Sequence, residues 1–314
     1  MDYRIYPFED QSRLDEICAL FATGLGGSTP EEWKWKHFSD NGMPKSMMLV
    51  AEADDGSFAA VFALQPEIYQ YQDRTLRIVQ AEDLVIAPSH RGSGLMRKLH
   101  TFMIHHLTDL GYAGFIGFPN ENSLPVLVKY GAKQMPNIGS LNTAKRFLPL
   151  YPCRKTAAAG NWAITVCDSM PQDLFYCTNT ECYQLAKNDA FMRWRFVDNP
   201  HEQFRWLTIR KAGVLMGYMV FCITAGRFRR AVNICDWALQ DAVDTPALKK
   251  AVQVLRSWGN WASLWGQFSE EASGRWIRAG LSNQQAPGTH LLLHSFAKEP
   301  LPENFHLTRA DLDY

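Results

Sequence analysis

Apolar and polar positions switch between two periods along this chain, and the switches mark its elements. Tyr3 to Phe8 reads as a strand. From Ser12 to Phe21, the residues Leu14, Ile17, Leu20 and Phe21 fall on one helical stripe. Pro30 opens a second helix through Phe38, at a first-turn position that tolerates its missing N–H. Met47 to Glu52 and Phe58 to Tyr71 read as strands around the turn Asp54-Asp55-Gly56, and Leu76 to Ile86 as another. Gly92 to Leu110 is a predicted amphipathic helix with Leu95, Leu99, Phe102, Met103 and Leu107 inward. Tyr112 to Phe118 is a short apolar strand, and Ser123 to Tyr130 a short helix stopped by Gly131.

The order then recurs. Pro149, Pro152 and the run Ala157 to Gly160 mark a connector at 147–160. Beyond it, Trp162 to Cys167, Arg205 to Arg210, Val214 to Thr224, Arg230 to Leu239, Trp261 to Gln267 and Leu291 to Phe296 read as strands. Ala190 to Val197, Pro246 to Trp258 and Glu270 to Ala279 read as helices. Residues repeat as well as elements: Val79-Gln80-Ala81-Glu82-Asp83-Leu84 parallels Val232-Asn233-Ile234-Cys235-Asp236-Trp237. The cluster Trp33-Lys34-Trp35-Lys36 has a counterpart in Arg193-Trp194-Arg195-Phe196. The expectation is an α/β (α+β) protein of two tandem units, 1–146 and 161–314, each a mixed central sheet flanked by helices.

Composition narrows the classes. The 314 residues are 46% hydrophobic and 20% charged, with zero net charge, which suits a globular fold and gives no electrostatic drive toward nucleic acid or acidic membranes. The start, Met1-Asp2-Tyr3-Arg4, lacks the apolar run of a secretory signal. The longest nearly uncharged run, Gly213 to Gly226, is too short to span a bilayer and reads as a buried strand. Seven scattered cysteines without a CxxC pair, Cys177 and Cys182 the nearest neighbours, read as reduced thiols, so the expected compartment is the cytoplasm.

The sharpest chemical signal is Pro88-Ser89-His90-Arg91-Gly92-Ser93-Gly94-Leu95-Met96-Arg97, between a strand and a helix. Two glycines permit a tight turn and close approach of a ligand. The helix beyond offers unpaired N–H groups and a positive dipole end, and Arg91, Arg97 and Lys98 add charge. That is a pyrophosphate site in outline. It is neither a Walker A loop nor a dinucleotide fingerprint, because the lysine and the third glycine are missing.

Arg91-Gly92-Ser93-Gly94-Leu95 after Ile86-Ala87-Pro88 resembles the acetyl-CoA motif of the GNAT acetyltransferases, and Phe118-Pro119-Asn120-Glu121-Asn122-Ser123 with Lys129-Tyr130-Gly131 resembles the family's later motif. The element order from residue 3 to about 146 is similar too. The chain further resembles GNAT-like proteins of bacterial polysaccharide and uncharacterised gene clusters, which share the FPNxNS segment, the aromatic-basic helix and a tail like Leu307-Thr308-Arg309-Ala310-Asp311-Leu312-Asp313. The resemblance implies tandem GNAT-like domains. It implies that the backbone of Leu84, Val85 and Ile86 pairs with pantetheine, that the loop Arg91, Gly92, Ser93, Gly94, Leu95, Met96 and Arg97 holds the pyrophosphate, and that Asn120, Asn122 and Ser123 lie near the pantetheine arm or sulfur.

Two positions depart from the pattern. Met96 stands where the motif has a small residue, either crowding the phosphate or turned into the core. Leu127 stands where many members carry a thiolate-protonating Tyr, and Tyr130 lies nearly a turn further on. In the second half, Gln240-Asp241-Ala242-Val243-Asp244 has no glycine and acidic side chains, so that half is expected to bind no CoA.

Amide formation from a thioester needs a proton acceptor for the amine. Glu82 and Asp83 precede the loop, and strict alternation puts Gln80, Glu82, Leu84 and Ile86 on one face, Asp83 and Val85 on the other. A bulge there leaves open which carboxylate faces the acceptor. The counterpart Asp236, in a half without a cofactor loop, favours a structural Asp83 and Glu82 as base. His90 borders the loop, and one of His105 and His106 is expected in solvent. No metal site is expected, since no second ligand pair has metal spacing. Trp35 and Tyr69 fall in segments that line the acceptor groove of GNAT-like folds. The expected activity is acetyl or short-acyl transfer from acetyl-CoA to a primary amine of a small molecule, such as an amino sugar. The alternative is a catalytically silent CoA-binding or scaffold protein.

Overall fold

A computed structural model describes residues 2–23, 29–145, 153–176, 181–226 and 229–312, with the side chains of 283–288 left aside. The first half runs β1 (Tyr3–Pro7), α1 (Leu14–Ala22), α2 (Pro30–Phe38), β2 (Met47–Ala53), β3 (Phe58–Tyr71), β4 (Arg74–Ile86), α3 (Leu95–Asp109), β5 (Gly114–Gly117), α4 (Leu124–Lys129) and β6 (Lys133–Asn142). The second half runs β7 (Thr156–Ala159), β8 (Trp162–Cys167), β9 (Tyr183–Leu185), α5 (Asp189–Phe196), β10 (Arg205–Lys211), β11 (Val214–Ala225), β12 (Arg230–Leu239), α6 (Thr245–Leu255), β13 (Trp261–Gln267), α7 (Glu270–Arg278), β14 (Ser282–Ser295) and β15 (Phe305–Thr308). Mixed α/β architecture is thus as expected, with some elements the sequence did not announce. Within the expected connector, residues 147–152 lie outside the described residues, as does Cys177, and Thr156–Ala159 is a strand that hairpins onto β8 at Gly160.

The strands form one sheet in the order β1-β2-β3-β4-β5-β14-β6-β13-β12-β11-β10-β8-β7. The halves exchange strands: β14 of the second lies between β5 and β6 of the first, while β6 also pairs β13. Short strands β9 and β15 bridge back, β9 pairing β3 and β15, and β15 pairing β13. Pairing therefore closes on itself through β3-β4-β5-β14-β6-β13-β15-β9.

Four apolar clusters fill this frame. α3 packs Leu95, Leu99, Met103 and Leu107 against one face of the first half. α1 and Trp33 of α2 cover its other face. α6 covers the second half in the same way as α3 covers the first. The fourth cluster joins the halves, with Trp35, Tyr69, Trp194 and Phe305 among its members. Here the two aromatic-basic helices meet. The Trp35 and Trp194 rings stack at 5.1 Å, each indole N–H donating to the other's backbone carbonyl, at 3.1 and 2.8 Å. Among the described residues, no helix is long and apolar enough to cross a membrane.

Candidate functional site

Strands β4 and β5 run parallel through Val79–Phe115, Gln80–Ile116 and Ala81–Gly117, and then part. β4 continues to Ile86 with only β3 beside it, so residues 82–86 present one edge unpaired among the described residues. An extended peptide-like arm could add there as a strand. At the fork the register against β3 slips, from Leu64–Ala81 to Phe62–Leu84, so Ala63 faces both Glu82 and Asp83. This bulge corrects the strict alternation. Leu84 and Ile86 turn to the α3 side with Ala81, while Glu82 and Asp83 both meet Lys36 and His37 of α2. One extra residue in a strand reverses the facing of everything after it.

The turn after β4 is built around two left-handed residues, Gly92 (φ 74°) and Gly94 (φ 79°). Because of them α3 begins at Leu95, three residues later than its periodicity suggests. No side chain caps α3. The Arg97 amide donates to Gly94 O at 3.1 Å, whereas the amides of Gly92 to Met96 meet no acceptor among the described residues. A Cβ built on Gly92 or Gly94 meets nothing within 4 Å, so the mouth of the helix is open space. Met96 packs against the α3 core and does not crowd that mouth. Arg97 and Lys98 are exposed. Arg91 Nε donates to Ile86 O at 3.1 Å, tying the loop to the end of β4. Ser93 Oγ donates to His90 O at 2.6 Å, and the Tyr3 hydroxyl bridges Ser93 and His90.

Across the fork, Asn120 Oδ1 accepts from the amides of Asn122 and Ser123, both at 3.0 Å, fixing the turn into α4. Leu127 is buried with the α3 core, and the Tyr130 ring stacks on His100 at 5.0 Å. His105 is exposed, as expected for one of that pair.

The carboxylates sit in an enclosed polar cluster. The Glu82 side chain has no accessible surface, that of Asp83 has 22%, and Gln80 Nε2 donates to Glu82 at 2.9 Å. Lys36 Nζ lies 2.6 Å from Asp83 and 3.6 Å from Glu82. Burial opposes charge on Asp83, yet the His37 and Lys36 contacts outweigh it and hold this carboxyl below its ordinary range. Burial pushes the His37 imidazole down to about 4, against the pull of Asp83, so it is neutral at pH 7. Its Nδ1 lies 3.0 Å from Ser46 Oγ. Ligand atoms of His37, Glu82 and Asp83 lie within 4.8 Å of one another, a metal-like spacing, but the Lys36 ammonium already supplies the compensating cation. Sequence reasoning did not single out His37; its only signal was its place one turn after Trp33, on which it packs at 4.5 Å.

The two expected acceptor residues separate. Trp35 borders a cavity of about 700 Å³ between the halves, with Phe118, Trp265, Arg195 and Arg309 also on its wall. Tyr69 is fully buried, its ring edge-on to Phe305 at 5.2 Å. Its strand pairs with β9 at Leu185, so Tyr69 is a core residue and not part of a groove. The sequence could not show that a distant strand covers it.

The second half repeats the frame with different chemistry. Strand β12 has its own slip at Cys235, and Asp236 is buried against Lys187 Nζ at 2.7 Å. The same ammonium meets Asp311 at 2.7 Å, locking the C-terminal segment. The mouth of α6 is closed by its own carboxylate: Asp244 accepts from the amide of Ala247 at 2.8 Å. Arg275 donates to the carbonyls of Gln240 and Val243 in that loop. The start of α6 thus lacks the open amides of α3.

Residues 14–132 match the profile of the Acetyltransferase (GNAT) family, so the first half carries a GNAT acetyltransferase domain and the protein is an acyltransferase. That family transfers acyl groups from acyl-CoA to amines. None of the curated proteins matches the chain. Among solved structures, it is similar to a GCN5-related N-acetyltransferase from Anabaena variabilis ATCC 29413 (TM-score 0.66, 11% identity, 94% of this chain and 73% of that one). It is also similar to a probable N-acyltransferase from Enterococcus faecalis V583 (TM-score 0.68, 12% identity, 94% and 73%). A tandem GNAT protein from the clavulanic acid biosynthesis pathway aligns over 95% of this chain and all of its own length (TM-score 0.57, 10% identity). At these identities the likeness is one of fold.

Proposed function

We propose that the protein moves an acetyl or other short acyl group from acyl-CoA to the primary amine of a small molecule, by direct transfer within one ternary complex. In this reading residues 1–146 carry the site, and 161–314 support it without binding CoA. An amino sugar is the first acceptor class to test. The observation that carries the reading is the uncapped, open mouth of α3 behind two left-handed glycines, beside the unpaired edge of β4.

The amides of Gly92 to Met96 would hold the pyrophosphate, with Arg91, Arg97 and Lys98 nearby, and the backbone of Leu84 to Ile86 would hold the pantetheine arm. Asn120, Asn122 and Ser123 would flank that arm. When bound, acetyl-CoA would supply a thioester whose C–S bond breaks as the amine forms its C–N bond, the sulfur leaving as thiolate and taking a proton from solvent. Glu82 takes the amine proton through water, and Lys36 lies beside both carboxylates, 3.6 Å from Glu82 and 2.6 Å from Asp83. Asp83, pinned by Lys36 and His37, positions that cluster. A cytoplasmic location accords with a CoA-dependent reaction.

A silent CoA-binding or scaffold role is the second reading, favoured by Leu127, which leaves a core leucine where a thiolate-protonating phenol would stand. Free-thiol release measured with acetyl-CoA and a panel of amines separates the two. Transfer is expected for at least one amine, and Glu82→Gln should lower kcat about 10²-fold or more at unchanged acetyl-CoA affinity. Tight acetyl-CoA binding with no thiol release for any amine supports the scaffold.

A further inference from the structure

We propose that the cavity between the halves is the acceptor site and that it selects amines bearing an oxyanion, a carboxylate or phosphate ester, through Arg309. This rests on the acyl-transfer reading and specifies its substrate class.

Position comes first. Phe118, on the cavity wall, follows Gly117, the last β5 residue paired to β4, and Glu82 follows Ala81, its partner. One wall of the cavity, at Phe118, thus adjoins the end of the β4–β5 pairing, where the two strands fork. At about 700 Å³ it suits a small molecule. Trp35 and Trp265 give it flat apolar walls.

Charge comes second. The wall carries two guanidinium groups, Arg195 and Arg309, against one carboxylate, Glu202. A simple alkylammonium would be repelled there, whereas an added oxyanion would be drawn in. Arg309 meets Glu202 Oε1 only at 3.4 Å and Cys222 Sγ at 3.7 Å, both long, and a guanidinium has five donors. Its backbone is held firmly from behind. Thr308 N donates to Asp311 Oδ2 at 2.7 Å, and Lys187 ties Asp311 to Asp236. A side chain on such a rigid base reads its partner without a large ordering penalty. The half that lost the cofactor site thus supplies the acceptor reader.

The test uses matched amines, ethanolamine against phosphoethanolamine and propylamine against β-alanine, with acetyl-CoA and the full chain. The anionic member of each pair should react at least about tenfold better in kcat/KM. Arg309→Gln should raise KM for anionic amines by about tenfold or more while KM for simple amines stays level or falls, and Arg309→Lys should recover part of the loss. If Arg309→Gln does not fold, Asn233→Asp places a carboxylate on the cavity floor and should give the same selective loss. Equal use of neutral and anionic amines, or an Arg309→Gln KM unchanged for anionic ones, overturns the proposal. If no amine is acetylated, tryptophan fluorescence titrated with phosphoethanolamine decides. Saturable quenching lost in Arg309→Gln upholds the anion site while the transfer reading fails, and no quenching in the natural protein overturns the site too.

Discussion

Gly94→Ala is the most direct test of the α3 mouth, because its two effects can be calculated apart. Residue 94 sits at φ 79° and ψ 4°, a left-handed conformation that costs an L-residue about 1–2 kcal/mol. The new methyl meets nothing within 4 Å, so no steric cost adds to that strain. The expected loss of stability is therefore small, a melting temperature lower by about 2–4 °C. The methyl does, however, enter the open space over the uncapped amides. Displacing a pyrophosphate oxygen from one charge-assisted hydrogen bond costs about 1.5–3 kcal/mol, or roughly 10- to 150-fold in Kd. Gly213 supplies the control. It is left-handed at φ 86° with nothing within 4 Å, but lies in the β10–β11 hairpin of the other half. Gly213→Ala should therefore show the same thermal loss with unchanged acetyl-CoA affinity. Calorimetric titration of both variants gives the comparison, and equal Kd values for the two would refute a diphosphate site at α3.

Two further outcomes concern the buried ionic groups. Lys187→Met leaves Asp236 and Asp311 buried without their ammonium, and should lower stability by about 3–5 kcal/mol in urea denaturation while acetyl-CoA affinity holds. Acid should weaken the native protein through the first-half cluster. His37 is held at about 4 against an unfolded value of 6.5, so its contribution is complete above pH 6.5 and lost as pH falls through about 4. Asp83 is depressed, so its contribution is present above the unfolded carboxylate value and lost below it. Urea midpoints between pH 7 and pH 4 should fall, and His37→Asn should flatten the decline from pH 6.5 to 4; an unchanged slope would contradict the buried neutral imidazole.

The local signals in the sequence were faithful where a single element determines the outcome. The stripe of α1, the proline start of α2 and the apolar run of β3 are all set by neighbours in the chain. The two glycines of the α3 mouth were legible because only glycine takes that backbone cheaply. Strand β6, whose pattern is broken by Pro136 and Gly139, gave no such signal; it is a strand because β13 and β14 flank it. The facing of Glu82 and Asp83 turned on a one-residue slip against β3, which no periodicity within β4 encodes. Tyr69 looked available until β9, over a hundred residues later, came to lie beside it. The Trp35–Trp194 pair shows the intermediate case: the repeat announced two similar helices, but not that they clasp one another.

The exchange of β6 and β14 has a consequence for how this chain is made and inherited. During synthesis, β5 cannot gain its second neighbour until residues 282–295 leave the ribosome, so the first half waits for the second before its sheet is complete. A gene shortened to the first unit would encode a sheet with a missing stave. The second half therefore cannot be cut away without opening the sheet of the first.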